Sequence, residues 1–383
     1  VESAVKNRVY INGTGCLSPQ PTLGNHSFLE ELVSEVTIRL KAIDPNYKEF
    51  VPPEMVRRMG RIIKMGVAAA KTCLSDPSPD SSPVASLTLA REGSKPPSGG
   101  WGVGVPDAII TGTGLGCIED TEKFLGNMIR NNEEFLTPTS FIQSTHNTVG
   151  AQIALLMGCH GYNFTYVHRG FSFESAILDS LIQLESGRAQ SILLGAADEL
   201  TSNSFRIQER MGFWRRKPVD NLTLLENPGR GTIAGEGAAF FLLERAEQPT
   251  TYATLDDVEM LFRPNSSQEI SGQIVQFLER NKLTTHDIDL LLLGRNGDSR
   301  FDSVYDEVTR NTFGEVASCG FKHLCGEYMT ASSFGLWLAT RILRAQRIPD
   351  IVKVERKPSG LRHILLYNHY RGINHSMILL SKA

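Results

Sequence analysis

Apolar residues in this chain cluster in short runs that end in glycine, and the segments after them switch to helical spacing. Residues 9–12 read as a strand leading into GTGCLSP. Residues 107–111 (DAIIT) lead in the same way into GTGLG, and residues 289–293 into GRNGDSR. Short buried strands that each end in a glycine turn opening a helix predict an α/β fold with largely parallel sheets. The stretch 162–200 reads as a strand, a tight turn, an amphipathic helix and a second strand ending in small residues. Residues 234–247 (AGEGAAFFLLERAE) read as a glycine-rich turn and a buried strand.

Two of these units resemble each other. DAIITGTGLGCIEDTEKF and DLLLLGRNGDSRFDSVYDEV both run from strand through glycine loop to acidic amphipathic helix, about half a chain apart, which suggests a duplicated α/β unit. The segment 75–106 is rich in Pro, Ser and Gly. It is expected to be an exposed, mobile loop, not a linker between domains, because sheet-forming pattern resumes on both sides of it.

Composition narrows the function classes. With 383 residues and 41% hydrophobic content, the chain can build one large domain or two fused halves. A net charge of -3 and a pI near 6.4 offer no basic excess to replace counterions on phosphates, which argues against non-specific nucleic-acid binding. No segment approaches the ~20 apolar residues of a membrane span, and no basic-then-apolar pattern marks the N-terminus, so a cytoplasmic protein is expected. Cys16, Cys73, Cys117, Cys159, Cys319 and Cys325 form no CxxC pair. They read as structural thiols in a reducing compartment, with neither a metal site nor a cofactor expected.

The segments VYINGTGCLSP, DAIITGTGLG, PTSFIQSTHNTVGAQIALLMG, GRAQSILLGAADEL and AGEGAAFFLLE stand in the order and spacing of the β-ketoacyl-ACP synthases. The chain resembles that family over essentially its whole length apart from 75–106. The resemblance implies the thiolase fold, a five-layered αβαβα arrangement built from two duplicated halves and nearly always dimeric. The halves are placed at 1–247, carrying the 75–106 insertion, and 248–383.

A condensing enzyme of that family uses a cysteine to take the acyl chain and two histidines to assist decarboxylation and stabilise the resulting enolate and oxyanion. Carried over residue by residue, the cysteine position falls on Gly170. The first histidine falls on Asn296 in NGD and the second on Glu327 in KHLCGE, where Lys322 and Gly326 keep their places. The glycine-rich gating loop corresponds to NHYRGINHS (368–376). That loop is shorter than usual and has Arg371 where flexible glycine and a gating aromatic would sit.

Substitutes for the lost groups are few. Ser172 lies two residues past Gly170, an offset of about 200° on a helix, so it should face away and satisfy backbone N–H groups. Cys325 stands near Glu327, but a carboxylate neighbour raises a thiol's pKa and does not activate it. His168 and Arg169 are either polar residues at a strand end or space-fillers, with Arg169 bonding to a partner's backbone or to Glu174.

Within the family, the resemblance points to the chain-length factors, silent homologues that pair with a competent synthase, and most closely to those of aryl polyene or flexirubin-type pigment clusters. It implies an active ketosynthase subunit as partner and an acyl carrier protein that engages through that partner. Phe141, Ile142, Gln143 and His146 are the candidate tunnel-lining residues. Phe141 and Ile142 are equally readable as ordinary core, whereas Gln143 and His146 are favoured for the tunnel role, since a polar residue buried at an interface needs a specific partner. Two other readings stay open: an acyltransferase or decarboxylase with altered chemistry using Asn296 and Glu327, and a homodimeric scaffold that binds acyl carriers.

Overall fold

The structure, a computed structural model, describes residues 8–24, 29–75, 104–134, 136, 138–249, 251–352, 354, 358 and 360–383. The expected mobile loop at 75–106 lies, for residues 76–103, outside the described residues.

Ten strands carry the architecture. They are β1 (Tyr10–Leu17), β2 (Ala108–Gly112), β3 (Tyr162–Tyr166), β4 (Ser191–Asp198) and β5 (Gly237–Glu244), then β6 (Ala253–Phe262), β7 (Leu290–Leu293), β8 (Ser318–Gly320), β9 (His363–Tyr370) and β10 (Asn374–Ser381). Their spatial order is β8-β7-β9-β10-β6-β1-β5-β4-β2-β3. The first five stand as 3-2-4-5-1 and the last five as 8-7-9-10-6, the same order shifted by five. The strands even share directions: β2 is parallel to β3 and β4, and β7 to β8 and β9. The two five-stranded groups meet at a short antiparallel ladder, Tyr10 opposite Thr254 and Ile11 opposite Ala253. The two similar sequence units contain β2 and β7, which hold equivalent places in this repeat.

The sheets are mixed, which corrects the expectation of largely parallel strands. β5 runs antiparallel to β1 and β4, and β10 antiparallel to β9 and β6. Their continuous apolar sequence arises because both faces are covered, a condition usual for parallel sheets but met here by antiparallel strands as well.

Alternating residues along each strand divide the core into three slabs. Ile110, Leu194 and Phe241 from the first group, and Leu292, Leu366 and Ile378 from the second, point inward onto α5 (Ser172–Glu185) and α10 (Ser332–Ala345). Their neighbours Ile109, Leu193 and Phe240 point the other way, onto Ile62 and Ile63 of α1 (Arg61–Ser75) and Ile153 of α4 (Thr148–Met157). On the far side Leu291, Leu365 and Leu379 pack on Ile274 and Phe277 of α7 (Ser267–Arg280) and Val308 of α8 (Ser303–Thr312). Helix, sheet, helix pair, sheet and helix therefore stack in five layers, the thiolase fold expected from the sequence. Each fully buried Leu or Ile contributes about 1.5–3 kcal/mol. α10 is buried from Ser332 to Leu343 because it faces both sheets, which explains its lack of a polar stripe.

Glu236, the acid of the GEGA run, is fully buried and ties this scaffold together. Its carboxylate accepts the N–H of Ala42 and Leu200 and pairs with Arg61 at 2.8 Å. Asp198 at the end of β4 does similar work, accepting from Thr113, from the Gly114 N–H and from both the N–H and hydroxyl of Thr330.

Candidate functional site

The turn between β3 and α5 is a single 3-10 segment, Arg169–Phe171. Ser172 closes it: its hydroxyl donates to the Arg169 carbonyl at 2.7 Å and accepts the His168 N–H at 2.8 Å. This clip holds Arg169 in the left-handed region, at φ 52°. His168 sets the edge of its ring against Phe171, with 5.6 Å between centroids.

Gly170 has no room for a side chain. A Cβ placed on it would lie 2.5 Å from Tyr370 Cβ and 3.0 Å from Tyr370 Cγ, with Asn374 Cβ at 3.3 Å. Tyr370 and Asn374 face each other across the start of the β9–β10 hairpin, so the obstruction is anchored in sheet backbone and not in a flexible side-chain tip. At the N-terminus of α5 the helix field meets an internal acid, Glu174, fully buried and accepting from the Ser376 hydroxyl at 2.9 Å. Burial pushes the Glu174 carboxyl upward. Its partner is thus Ser376, not Arg169, which is exposed at the turn; the expected Arg169–Glu174 bond is replaced for that reason.

Asn296 joins Lys322 and Glu327 although it comes from a separate segment. Lys322 opens the short helix α9 (Lys322–Cys325) and donates to both oxygens of Glu327, at 3.0 and 2.8 Å, and to the His369 carbonyl at 3.2 Å. The side-chain amide of Asn296 donates to Glu327 Oε2. All three side chains are nearly solvent-free, Lys322 at 1% exposure. A buried ion pair with both partners hydrogen-bonded is self-contained.

Backbone geometry fixes the cluster. Gly326, at φ 74°, approaches Gly235 so closely that a Cβ would sit 2.6 Å from the Gly235 Cα, which only glycine permits. The Glu327 N–H donates to Ile233 O at 2.9 Å, and the Gly235 N–H to Glu327 O at 3.0 Å. The loop carrying Asn296 is held by Asp302, which accepts the N–H of Asn296 and Gly297. Burial pushes Asp302 up to about 6 against the pull of those bonds. Cys325 is fully buried, and desolvation drives its thiol well above the ordinary range, so it supplies no thiolate.

Two clefts border the cluster. One, of about 20 Å³, reaches Glu199, Gln208, Trp214, Glu327 and Tyr370. The other, of about 10 Å³, lies among Phe213, Asn296, Phe301, Glu327 and Arg371. Each has room for roughly one water molecule and none for an acyl chain. Burial lifts Glu199, in the wall of the first, to about 7. The tip of the β9–β10 hairpin closes the second. Arg371, at φ 55°, lays its guanidinium 3.5 Å from the centre of the Phe213 ring and 5.4 Å from that of Phe301. The segment read as a shortened gating loop is therefore a three-residue turn in a paired hairpin.

The other candidates lie apart from this cluster. Phe141 and Ile142, on α3 (Pro138–Gln143), are 56% and 60% exposed, so neither is core. His146 is also exposed, with its ring over the Gly116 backbone, and the partly buried Gln143 donates to the Arg58 carbonyl. Both residues are expected to be buried at an interface; in the single chain α3 lies on the surface with His146 just beyond its end, which leaves that face accessible to a partner. β3 is the sheet's outer strand, and its Tyr162, Phe164 and Tyr166 rings form a ladder at 6.0 and 4.9 Å.

Residues 39–249 match the model of the β-ketoacyl synthase N-terminal domain, which is more than half of the chain. The chain belongs to the β-ketoacyl synthase family. Solved structures share its fold from end to end. One is a β-ketoacyl synthase from Burkholderia phymatum STM815 (TM-score 0.77, 16% identity, 98% of this chain and 100% of that one). Another is the ishigamide ketosynthase/chain length factor (TM-score 0.75, 16% identity, 99% and 100%). A third is the ketosynthase ApeO in complex with its chain length factor ApeC from Xenorhabdus doucetiae (TM-score 0.74, 15% identity, 100% of both). A comparison with curated protein sequences finds no match. No helix among the described residues is long and apolar enough to cross a membrane.

Proposed function

We propose that this chain is a catalytically silent ketosynthase homologue, a chain-length factor that pairs with an active β-ketoacyl-ACP synthase and shapes the tunnel in which a polyketide or polyene grows. The carrying observation is Gly170 walled in by Tyr370 and Asn374. A nucleophile there has neither a side chain nor space for one. The Lys322–Glu327–Asn296 cluster adds to this, since its charges and donors are spent on one another. The same closure counts against an acyltransferase or decarboxylase that would use Asn296 and Glu327, because Glu327 has both oxygens engaged.

The partner contributes the Cys-His-His site, and the carrier protein engages through it. Solved relatives described as a ketosynthase with its chain length factor, and as an acyl-carrier protein in complex with its ketosynthase bound to the hexaketide, support this division of labour. The outer strand β3 with its aromatic ladder, and the exposed Phe141 and Ile142, form the face that would meet the partner. His146, Gln143, His168 and Arg169 border it. An aryl polyene pathway, a cytoplasmic setting and a boundary between the halves at 247/248 belong to the same reading.

Co-expression with a triad-bearing synthase is expected to give a one-to-one heterodimer, and Phe141→Ala in this chain is expected to lengthen the product made by that complex. Chromatography with product mass spectrometry reads both. Homodimers only, or an unchanged product distribution with Phe141→Ala, would remove the pairing or the tunnel assignment respectively.

A further inference from the structure

Glu327 behaves in this structure as a ligand attached to its own receptor. Its two oxygens are engaged from outside its own segment's backbone: Lys322 Nζ serves both, and Asn296 Nδ2 serves Oε2. Neither donor depends on Glu327 alone for its position. Lys322 is also held by the His369 carbonyl at 3.2 Å, and Asn296 by the Asp298 N–H, which donates to its Oδ1 at 3.0 Å. The backbone at 327 is pinned on both sides by Ile233 and Gly235, so it does not depend on the carboxylate either. Glu327 lines both neighbouring clefts, so truncating its side chain would join the space it leaves to them.

We infer that Lys322 and Asn296 form a latent seat for small monocarboxylates, kept closed in the native chain by the Glu327 side chain. Truncating that side chain would open it. Glu327→Ala deletes one methylene and one carboxylate, the heavy-atom skeleton of acetate. Glu327→Gly deletes one carbon more, the skeleton of propionate. The buried ammonium left behind supplies the driving force, because an unpaired charge in a dry site is strongly unfavourable until an anion returns to it. In the native chain, Glu327 excludes free carboxylates from the same place. The inference stands on the cluster alone and does not require the pairing proposed above.

Thermal unfolding of the chain and its variants in sodium acetate, sodium propionate or sodium chloride at equal ionic strength tests it. In Glu327→Ala, acetate at about a hundredfold excess over its dissociation constant is expected to raise the folded-to-unfolded ratio roughly a hundredfold, with propionate weaker. Glu327→Gly should reverse that preference. The native chain and the double variant Lys322→Met/Glu327→Ala should respond to acetate no more than to chloride. If the single variants are recovered only as aggregates, refolding yield from denaturant in the three salts replaces the melting curve, with the same ranking expected. Equal effects of acetate and chloride on Glu327→Ala, or one carboxylate preferred by both single variants, overturns the inference.

Discussion

Lys322→Met alone is expected to destabilise the chain by about 3–5 kcal/mol, the usual consequence of stranding one member of a buried ion pair. Glu327 would keep its desolvated carboxylate and lose the donor that reaches both of its oxygens; Asn296 would remain as its one side-chain donor. The double variant Lys322→Met/Glu327→Leu removes both charges and is expected to recover most of the loss, since apolar residues of similar volume often replace such pairs at little cost. Urea unfolding of the single and double variants gives the comparison. Equal damage in the double variant would mean that shape, and not uncompensated charge, dominates the cluster.

Gly170→Cys, the change that would restore a nucleophile to the family position, is expected to destabilise by roughly 1–3 kcal/mol or more and to confer no condensation. The new Cβ would lie 2.5 Å from Tyr370 Cβ, so the hairpin has to move. Removing the obstruction in Gly170→Cys/Tyr370→Gly should therefore cost less than the two single changes added together, by about 0.5–3 kcal/mol of coupling. Denaturation midpoints of the four proteins close the cycle. A Gly170→Cys chain as stable as the parent would show that the hairpin yields easily, and the walled-in description of the turn would be wrong.

Much of the fold was legible in the chain because each element announces itself locally. The glycine-ended apolar runs at 107–111 and 289–293 became β2 and β7, in matching places of a repeated strand order. The stretch 162–200 became β3, the 3-10 turn, α5 and β4 as read. Strand direction was not legible. A strand covered on both faces shows no alternation whichever way its neighbours run, so nothing in the pattern spoke against largely parallel sheets, and the antiparallel setting of β5 and β10 went unread.

The candidate site divides in the same way. Gly170, Asn296, Glu327 and Lys322 were found by their places in motifs. That Asn296 and Lys322 converge on one carboxylate depends on the approach of Gly326 to Gly235, nearly a hundred residues apart in sequence. Tyr370 and Arg371 were missed as fillers. Nothing local tells that a tyrosine two hundred residues after a glycine will occupy the space its side chain would need. Phe141 and Ile142 could be read as core or interface, because an apolar pair looks the same in either setting. Their exposure in the single chain removes the first reading.

The most direct test of the central claim is the intact mass of both subunits after the co-purified complex is incubated with malonyl- and acyl-carrier protein. An acyl adduct is expected on the triad-bearing synthase and none on this chain, whose mass stays at that of the unmodified polypeptide. An acyl adduct on this chain, or decarboxylation of malonyl-carrier protein by this chain alone, would contradict it.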